Sequence, residues 1–244
     1  MLVTKNSMIE KKKLSPIIIA LDYQDPEQAI YFSKKISPQQ CQLKIGQELF
    51  IKSGVFLVNY LHKKGFKIFL DLKLYDIPNT VKRSVYAIKK LDVWMFTLHI
   101  HGGKSMMLSA RSALNFHKKN TPKIIGVTVL TSMNILELNH IGINTSSMLN
   151  HVIKLSVLAK KCKLDGIVCS PWEAKSIRKL FGKNFIIITP GIRPKRMYYD
   201  DQKRVMTPRE AIRSGSDFLV IGRPITRADN PYMILKKILS DINN

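Results

Sequence analysis

The chain has 244 residues, 45% of them hydrophobic, and a formal net charge of +23 at pH 7. That length suits one large domain or two small ones with an ample core, and no apolar run approaches membrane-span length. The three cysteines, Cys41, Cys162 and Cys169, form no close pair and no CxxC, which argues against a disulfide framework and for a reduced, cytoplasmic protein.

Lysines occur almost everywhere along the chain. No arginine-rich arm, aromatic-basic interleaving or zinc-finger spacing accompanies them. The charge therefore reads as a compositional bias toward residues of A+T-rich codons, not as a nucleic-acid footprint. It would still attract a phosphorylated substrate. Residues 1–15 are expected as a flexible basic extension. The apolar run over 16–21 is too short for a signal-peptide core.

In chain order, the first candidate strand covers 17–22, and Asp25 can cap a helix over 26–36. A second strand at 42–46 leads into a helix over 49–64 with Phe50, Val58 and Leu61 on one side. The third strand, 67–72, is followed by helix 81–90, and the fourth, 95–99, by helix 106–117. The fifth, 124–130, precedes a long connection with a short extra helix near 135–139, then helix 151–163. Strand 166–169 runs into Ser170-Pro171-Trp172-Glu173, a capping box with proline at the first helical position. Strand 185–189 is followed by a second such box, Thr207-Pro208-Arg209-Glu210. Strand 218–221 precedes a last helix opened by Asn230-Pro231. The strands are rich in Ile, Val, Leu and Phe, as strands covered on both faces should be.

Eight strand–helix alternations predict an α/β fold, a single-domain (β/α)8 TIM barrel over residues 1–244, which takes about 250 residues. A doubly wound sheet would need a switch-point phosphate loop, and no GxGxxG or GxxxxGK[ST] occurs.

A barrel places its chemistry at the C-terminal strand ends. Strand one ends in Asp22, and strand two carries Lys44. Strand three offers Asp71 and Lys73 on one face, with Leu72 on the other and Asp76 in the loop beyond. A carboxylate and an ammonium on one face of a buried strand are unfavourable unless paired or used. Pro78 stops strand pairing, and Asn79 and Thr80 can cap a helix starting near Val81. Two lysines and up to three acids would converge and titrate as a coupled set.

Strand four ends in His99-Ile100-His101-Gly102-Gly103. The two histidines share a face, but no third ligand lies at a companion spacing, so no metal is expected. Strand five ends in Leu130-Thr131-Ser132. The last two ends, Thr189-Pro190-Gly191-Ile192-Arg193-Pro194 and Gly222-Arg223-Pro224-Ile225-Thr226, have the make-up of a phosphate site. Residues 193–204 form a basic stretch suited to a lid, from which Arg193, Lys195 or Gln202 would reach the phosphate.

On these residues the chain resembles the orotidine 5′-phosphate decarboxylase family, the last enzyme of pyrimidine nucleotide biosynthesis. The similarity runs from Ile19-Ala20-Leu21-Asp22 to Gly222-Arg223-Pro224-Ile225. Its most specific part is Asp71-Leu72-Lys73-Leu74-Tyr75-Asp76-Ile77-Pro78-Asn79-Thr80, which matches the signature DxKxxDIPNT. Val129-Leu130-Thr131-Ser132 and Thr189-Pro190-Gly191-Ile192-Arg193 match later motifs in the same order.

The resemblance implies a cofactor-free, homodimeric, cytoplasmic barrel that binds a small nucleotide, with sites at the subunit interface. It implies that Asp22 binds the ribose and that Lys44 joins the charged network. Asp71 would lie beside the substrate carboxylate, and Lys73 would deliver a proton to C6. Asp76 and Thr80 would come from the neighbouring subunit. Ser132 would meet the pyrimidine edge, Thr131 the ribose-phosphate end, and Pro190 the base. Arg193, Gln202, Gly222 and Arg223 would grip the phosphate side. Two other readings stay open. One is a sugar-phosphate barrel such as a hexulose-phosphate synthase or ketogulonate-phosphate decarboxylase, which shares the DxK core but uses a Mg²⁺ enediolate. The other is a basic nucleic-acid-binding protein with the barrel as scaffold.

Overall fold

The computed structural model describes residues 14–114, 121–194 and 205–243. The basic extension expected over 1–15 thus lies almost wholly outside the described residues. Eight parallel strands form a closed barrel in chain order. They are β1 Ile17–Ala20, β2 Gln42–Gly46, β3 Ile68–Leu74, β4 Met95–His99, β5 Lys123–Val127, β6 Gly166–Val168, β7 Ile186–Thr189 and β8 Phe218–Ile221. β8 closes on β1 with Val220 against Ile18. The barrel expected from the alternation of apolar runs is the architecture found.

Ten helices are described: α1 Pro26–Ser33, α2 Gln47–Lys63, α3 Pro78–Lys90, α4 Gly103–Ser112, α5 Ile135–His140, α6 Met148–Lys161, α7 Pro171–Phe181, α8 Pro208–Arg213, α9 Arg223–Thr226 and α10 Pro231–Asn243. None of them is long and apolar enough to cross a membrane. Their starts follow the capping residues. Asp25 accepts from the Glu27 N–H, and Asn134/Glu137, Ser170/Glu173 and Thr207/Glu210 close complete capping boxes. Each cap contributes about 1 kcal/mol.

One start differs from expectation. α3 begins at Pro78, with Ile77 as its N-cap and no side-chain cap bond. Asn79 and Thr80 therefore lie in the first turn. A proline has no N–H to leave unsatisfied and its fixed φ suits the first helical position, so it opens the helix three residues earlier than Val81.

Period-two alternation sorts the strand residues into two cores. Ile18, Phe69, Met95, Ile125 and Ile188 fill the barrel interior. Ile17, Ile19, Leu43, Ile45, Leu70, Phe96 and Leu98 pack between sheet and helices. At the N-terminal end two aspartates repeat one arrangement. Asp165, before β6, accepts from the Ile124 N–H and from Arg111, both at 2.8 Å. Asp217, before β8, accepts from the Ile187 N–H at 2.7 Å and from Arg178 at 2.5 Å. These pairs tie strand starts to helices and leave the opposite end open.

Candidate active site

The inward face of each strand rises from the apolar plug toward the open end. Phe69 leads to Asp71, Ile18 to Ala20, and Lys44 stands in register with Phe69. The strand ends enclose a cavity of about 720 Å³, within the roughly 300–1,000 Å³ range of small-molecule sites. Phe69, Val127, Val168 and Val220 contribute its apolar lining. Asp22, Lys44, Asp71, Lys73, Thr131, Pro190, Arg193, Gly222 and Arg223 all line it too.

Four of these form an alternating row of charge. Lys44 Nζ lies 3.2 Å from Asp22 Oδ1 and 3.4 Å from Asp71 Oδ2, and Lys73 Nζ lies 2.9 Å from the same Asp71 Oδ2. Asp22, at the rim, is largely exposed, whereas Lys44 and Asp71 are buried. Burial by itself pushes Lys44 down and Asp71 up. The charges outweigh it. The carboxylates of Asp71 and Asp22 hold Lys44 above its ordinary 10.5. The ammoniums of Lys44 and Lys73, with hydrogen bonds from Lys73 and Thr97, hold Asp71 below its ordinary 3.8. Both groups stay ionised at neutral pH.

These shifts predict how stability depends on pH. The Asp71 pKa is depressed by folding, so its contribution is present above pH 3.8 and is lost as pH falls. The Lys44 pKa is raised, so its contribution is present below pH 10.5 and is lost as pH climbs past its folded value. The urea midpoint of the wild type should fall more steeply than that of Asp71→Asn between about pH 5 and about pH 3, with parallel curves from about pH 6 to about pH 9. Parallel curves through the acid range would detach Asp71 from acid stability.

The loop rim is also tied down. Gly191, with φ 75, makes the turn after β7 that other residues rarely adopt. The Arg193 N–H donates to the Met206 carbonyl at 3.0 Å, and the Met206 N–H to the Gly191 carbonyl at 3.3 Å. These bonds join the two ends of the stretch expected as a lid. Lys195 and Gln202, placed on that stretch, lie outside the described residues. At Gly222 an added Cβ would meet nothing closer than 3.5 Å within the chain. That is ordinary contact distance to Ala20 and Asp22, which line the cavity too.

Three expected site residues are not in the cavity. Asp76 is exposed in the loop after β3, where its Oδ1 accepts from the Ile77 N–H at 2.6 Å. Thr80 is exposed in the first turn of α3. Ser132 lines an adjacent shallow depression with Met133, Ile135, Leu136 and Met148, and Thr131 lies at the border of the two. Sequence reasoning did not single out Tyr23, Gln24, Gln28 or Arg227, which line the main cavity. Tyr23 donates to the Thr226 carbonyl at 3.2 Å, and burial pushes its phenol up to about 12. It follows Asp22 and Arg227 follows Thr226, so adjacency to strand ends was the available signal. His101 pairs Nε2 to Nε2 with His151 at 3.3 Å. Among the described residues no three His, Cys, Asp or Glu side chains gather as metal ligands.

A family model described as orotidine 5′-phosphate decarboxylase / HUMPS matches residues 15–238. A protein named orotidine 5′-phosphate decarboxylase from Wigglesworthia glossinidia brevipalpis is 62% identical over 232 residues, 95% of this chain and 99% of the relative. One of the same name from Sodalis glossinidius is 47% identical over 99% of this chain and 95% of its own length. The crystal structure of orotidine 5′-phosphate decarboxylase from Lactobacillus acidophilus superposes with a TM-score of 0.83 at 35% identity, covering 94% of this chain and all of that one.

Proposed function

The chain belongs to the orotidine 5′-phosphate decarboxylase / HUMPS family, and from that premise we propose that it converts orotidine 5′-monophosphate to uridine 5′-monophosphate and CO₂. The observation that carries this reading is the row Asp22–Lys44–Asp71–Lys73, with two ammoniums on one Asp71 oxygen beside an apolar surface.

The chemistry suits that row. When the C6–carboxylate bond breaks, the electron pair stays on C6 with no ring position to delocalise it. Lys73 stabilises the developing negative charge and then transfers an Nζ proton to C6. Asp71, held ionised, lies beside the departing carboxylate and raises the ground state. Two unit charges ~4 Å apart interact by ~4 kcal/mol at an effective dielectric of ~20. The slowest reactions need more than ~20 kcal/mol of acceleration, so Asp71 supplies a minor share. The rest comes from charge that is already placed before reaction and from binding of the remote phosphate by Arg193, Gln202, Gly222 and Arg223. Asp22 and Thr131 hold the ribose end, Ser132 the pyrimidine edge, and Pro190 packs on the base. In this reading no metal or cofactor takes part.

The working unit is a homodimer. Asp76 and Thr80 of one subunit complete the site of the other. Their surroundings support this: Tyr75 and Ile77 flank Asp76 and are 65% and 67% exposed, an apolar surface of the kind that a partner covers.

Loss of the orotidine monophosphate absorbance in an initial-rate assay tests the activity. The expected rate is unchanged by EDTA. Activity that EDTA abolishes and Mg²⁺ restores would transfer the chain to the enediolate chemistry of the sugar-phosphate barrels. Salt-dependent retention on DNA with no nucleotide turnover would favour a nucleic-acid-binding role instead.

A further inference from the structure

β3 and β4 fall out of register at the mouth of the barrel. Leu70 pairs with Phe96 and Leu74 with Leu98, so Asp71, Leu72 and Lys73 together face the single residue Thr97. Such a bulge leaves backbone groups without ladder partners and re-aims side chains. Lys73 takes φ 49, a left-handed conformation that a lysine rarely adopts. Side chains satisfy the groups that the bulge strands. Gln47 Nε2 donates to the Leu72 carbonyl at 2.7 Å. The Lys73 N–H donates to Thr97 Oγ1 at 2.8 Å, and the same hydroxyl donates to Asp71 Oδ1 at 2.9 Å.

The polarity of this relay is fixed. A backbone N–H can only donate and an ionised carboxylate can only accept, so the one hydroxyl proton must point at Asp71. Thr97 is fully buried, so no bulk water competes for either bond. Asp71 Oδ2 is taken by the two ammoniums and Oδ1 by Thr97, which settles the plane of the carboxylate.

We propose that Thr97 is a positioning residue whose single hydroxyl sets both the orientation of Asp71 and the strained backbone turn that aims Lys73 at the reacting carbon. The inference rests on the decarboxylase reading of this site. It predicts that the hydroxyl matters for turnover more than for nucleotide binding, because the groups it orients act on C6 and the carboxylate.

Thr97→Val keeps the shape and removes both hydrogen bonds, and Thr97→Ser keeps the hydroxyl. The valine variant should lose roughly 10- to 100-fold in kcat, with KM for orotidine monophosphate and Kd for uridine monophosphate within about threefold of wild type. Serine should restore kcat to within about threefold of wild type. In the valine variant the acid limb of kcat/KM should move to higher pH, because Asp71 loses a donor that favours its ionised form. A purely structural role would lower the melting temperature and leave kcat per folded site and the pH profile where they were. That outcome overturns the inference. If the valine variant does not fold, Thr97→Ala is read by the same criteria. A wild type that leaves orotidine monophosphate unconsumed overturns the functional reading and this inference with it. Wild-type turnover with an unperturbed hydroxyl-free variant overturns the inference alone.

Discussion

Lys73→Ala should reduce kcat on orotidine monophosphate by on the order of 10⁴-fold or more, while uridine monophosphate still binds measurably. General acid catalysis contributes roughly 10²–10⁴ and a placed charge roughly 10²–10³. Lys73 is assigned both roles, and a 10⁴-fold loss corresponds to ~5.5 kcal/mol of transition-state stabilisation. On the proposed reading the nucleotide would keep its phosphate and ribose contacts, because the residues proposed for them lie at other strand ends, Asp22 after β1 and Arg223 after β8. Removing Lys73 also takes one of two ammoniums from Asp71, but Lys44 remains 3.4 Å from the same oxygen. The site should therefore survive as a binding pocket. Single-turnover kinetics and equilibrium titration with uridine monophosphate separate the two effects. Near-normal turnover in this variant would remove Lys73 from the chemistry.

The second large effect concerns two chains at once. Lys73→Ala and Asp76→Ala should each be nearly inactive alone and recover activity when mixed. In one chain Asp76 is exposed, accepts from the Ile77 N–H and does not line the cavity that holds the charged row. If it serves the partner's site, each mixed dimer holds one site with both residues intact and one with neither. Random reassortment of equal amounts should then return about a quarter of wild-type activity, as the two-fold symmetry of a shared site requires. Differently tagged subunits would show that mixed dimers formed. Inactive mixed dimers would place Asp76 outside the shared site.

The barrel was legible because eight apolar runs recur with helical segments between them, and strands buried on both faces carry a strong signal. The charged row was legible for the same reason. Alternation along a strand puts Asp71 over Phe69 and Lys44 beside it, and charges on a buried face are conspicuous. The bulge was not legible. Simple alternation also brings Asp71 and Lys73 together, so nothing in the sequence betrays the left-handed φ of Lys73 or the two extra residues opposite Thr97. Thr97 itself reads as an ordinary strand residue, since its role depends on which groups the register leaves unpaired.

The start of α3 misled for a local reason. Asn79 and Thr80 are good caps, but Pro78 is a better first helical residue, and Ile77 takes the cap position without a side-chain bond. β5 stops at Val127 although the apolar run continues to Leu130, because its neighbour β6 is only three residues long. Ser132 therefore sits beyond the strand and in the neighbouring depression. The roles proposed for Asp76 and Thr80 require a second subunit, and the pattern of one chain carries no register for a partner.

The most direct measurement is proton NMR of orotidine monophosphate incubated with the protein in D₂O. The expected result is stoichiometric conversion to uridine monophosphate with deuterium at C6, because on the proposed mechanism the carbanion left by CO₂ would take its proton from an ammonium in exchange with solvent. Unchanged orotidine monophosphate, or product with protium at C6, would contradict it.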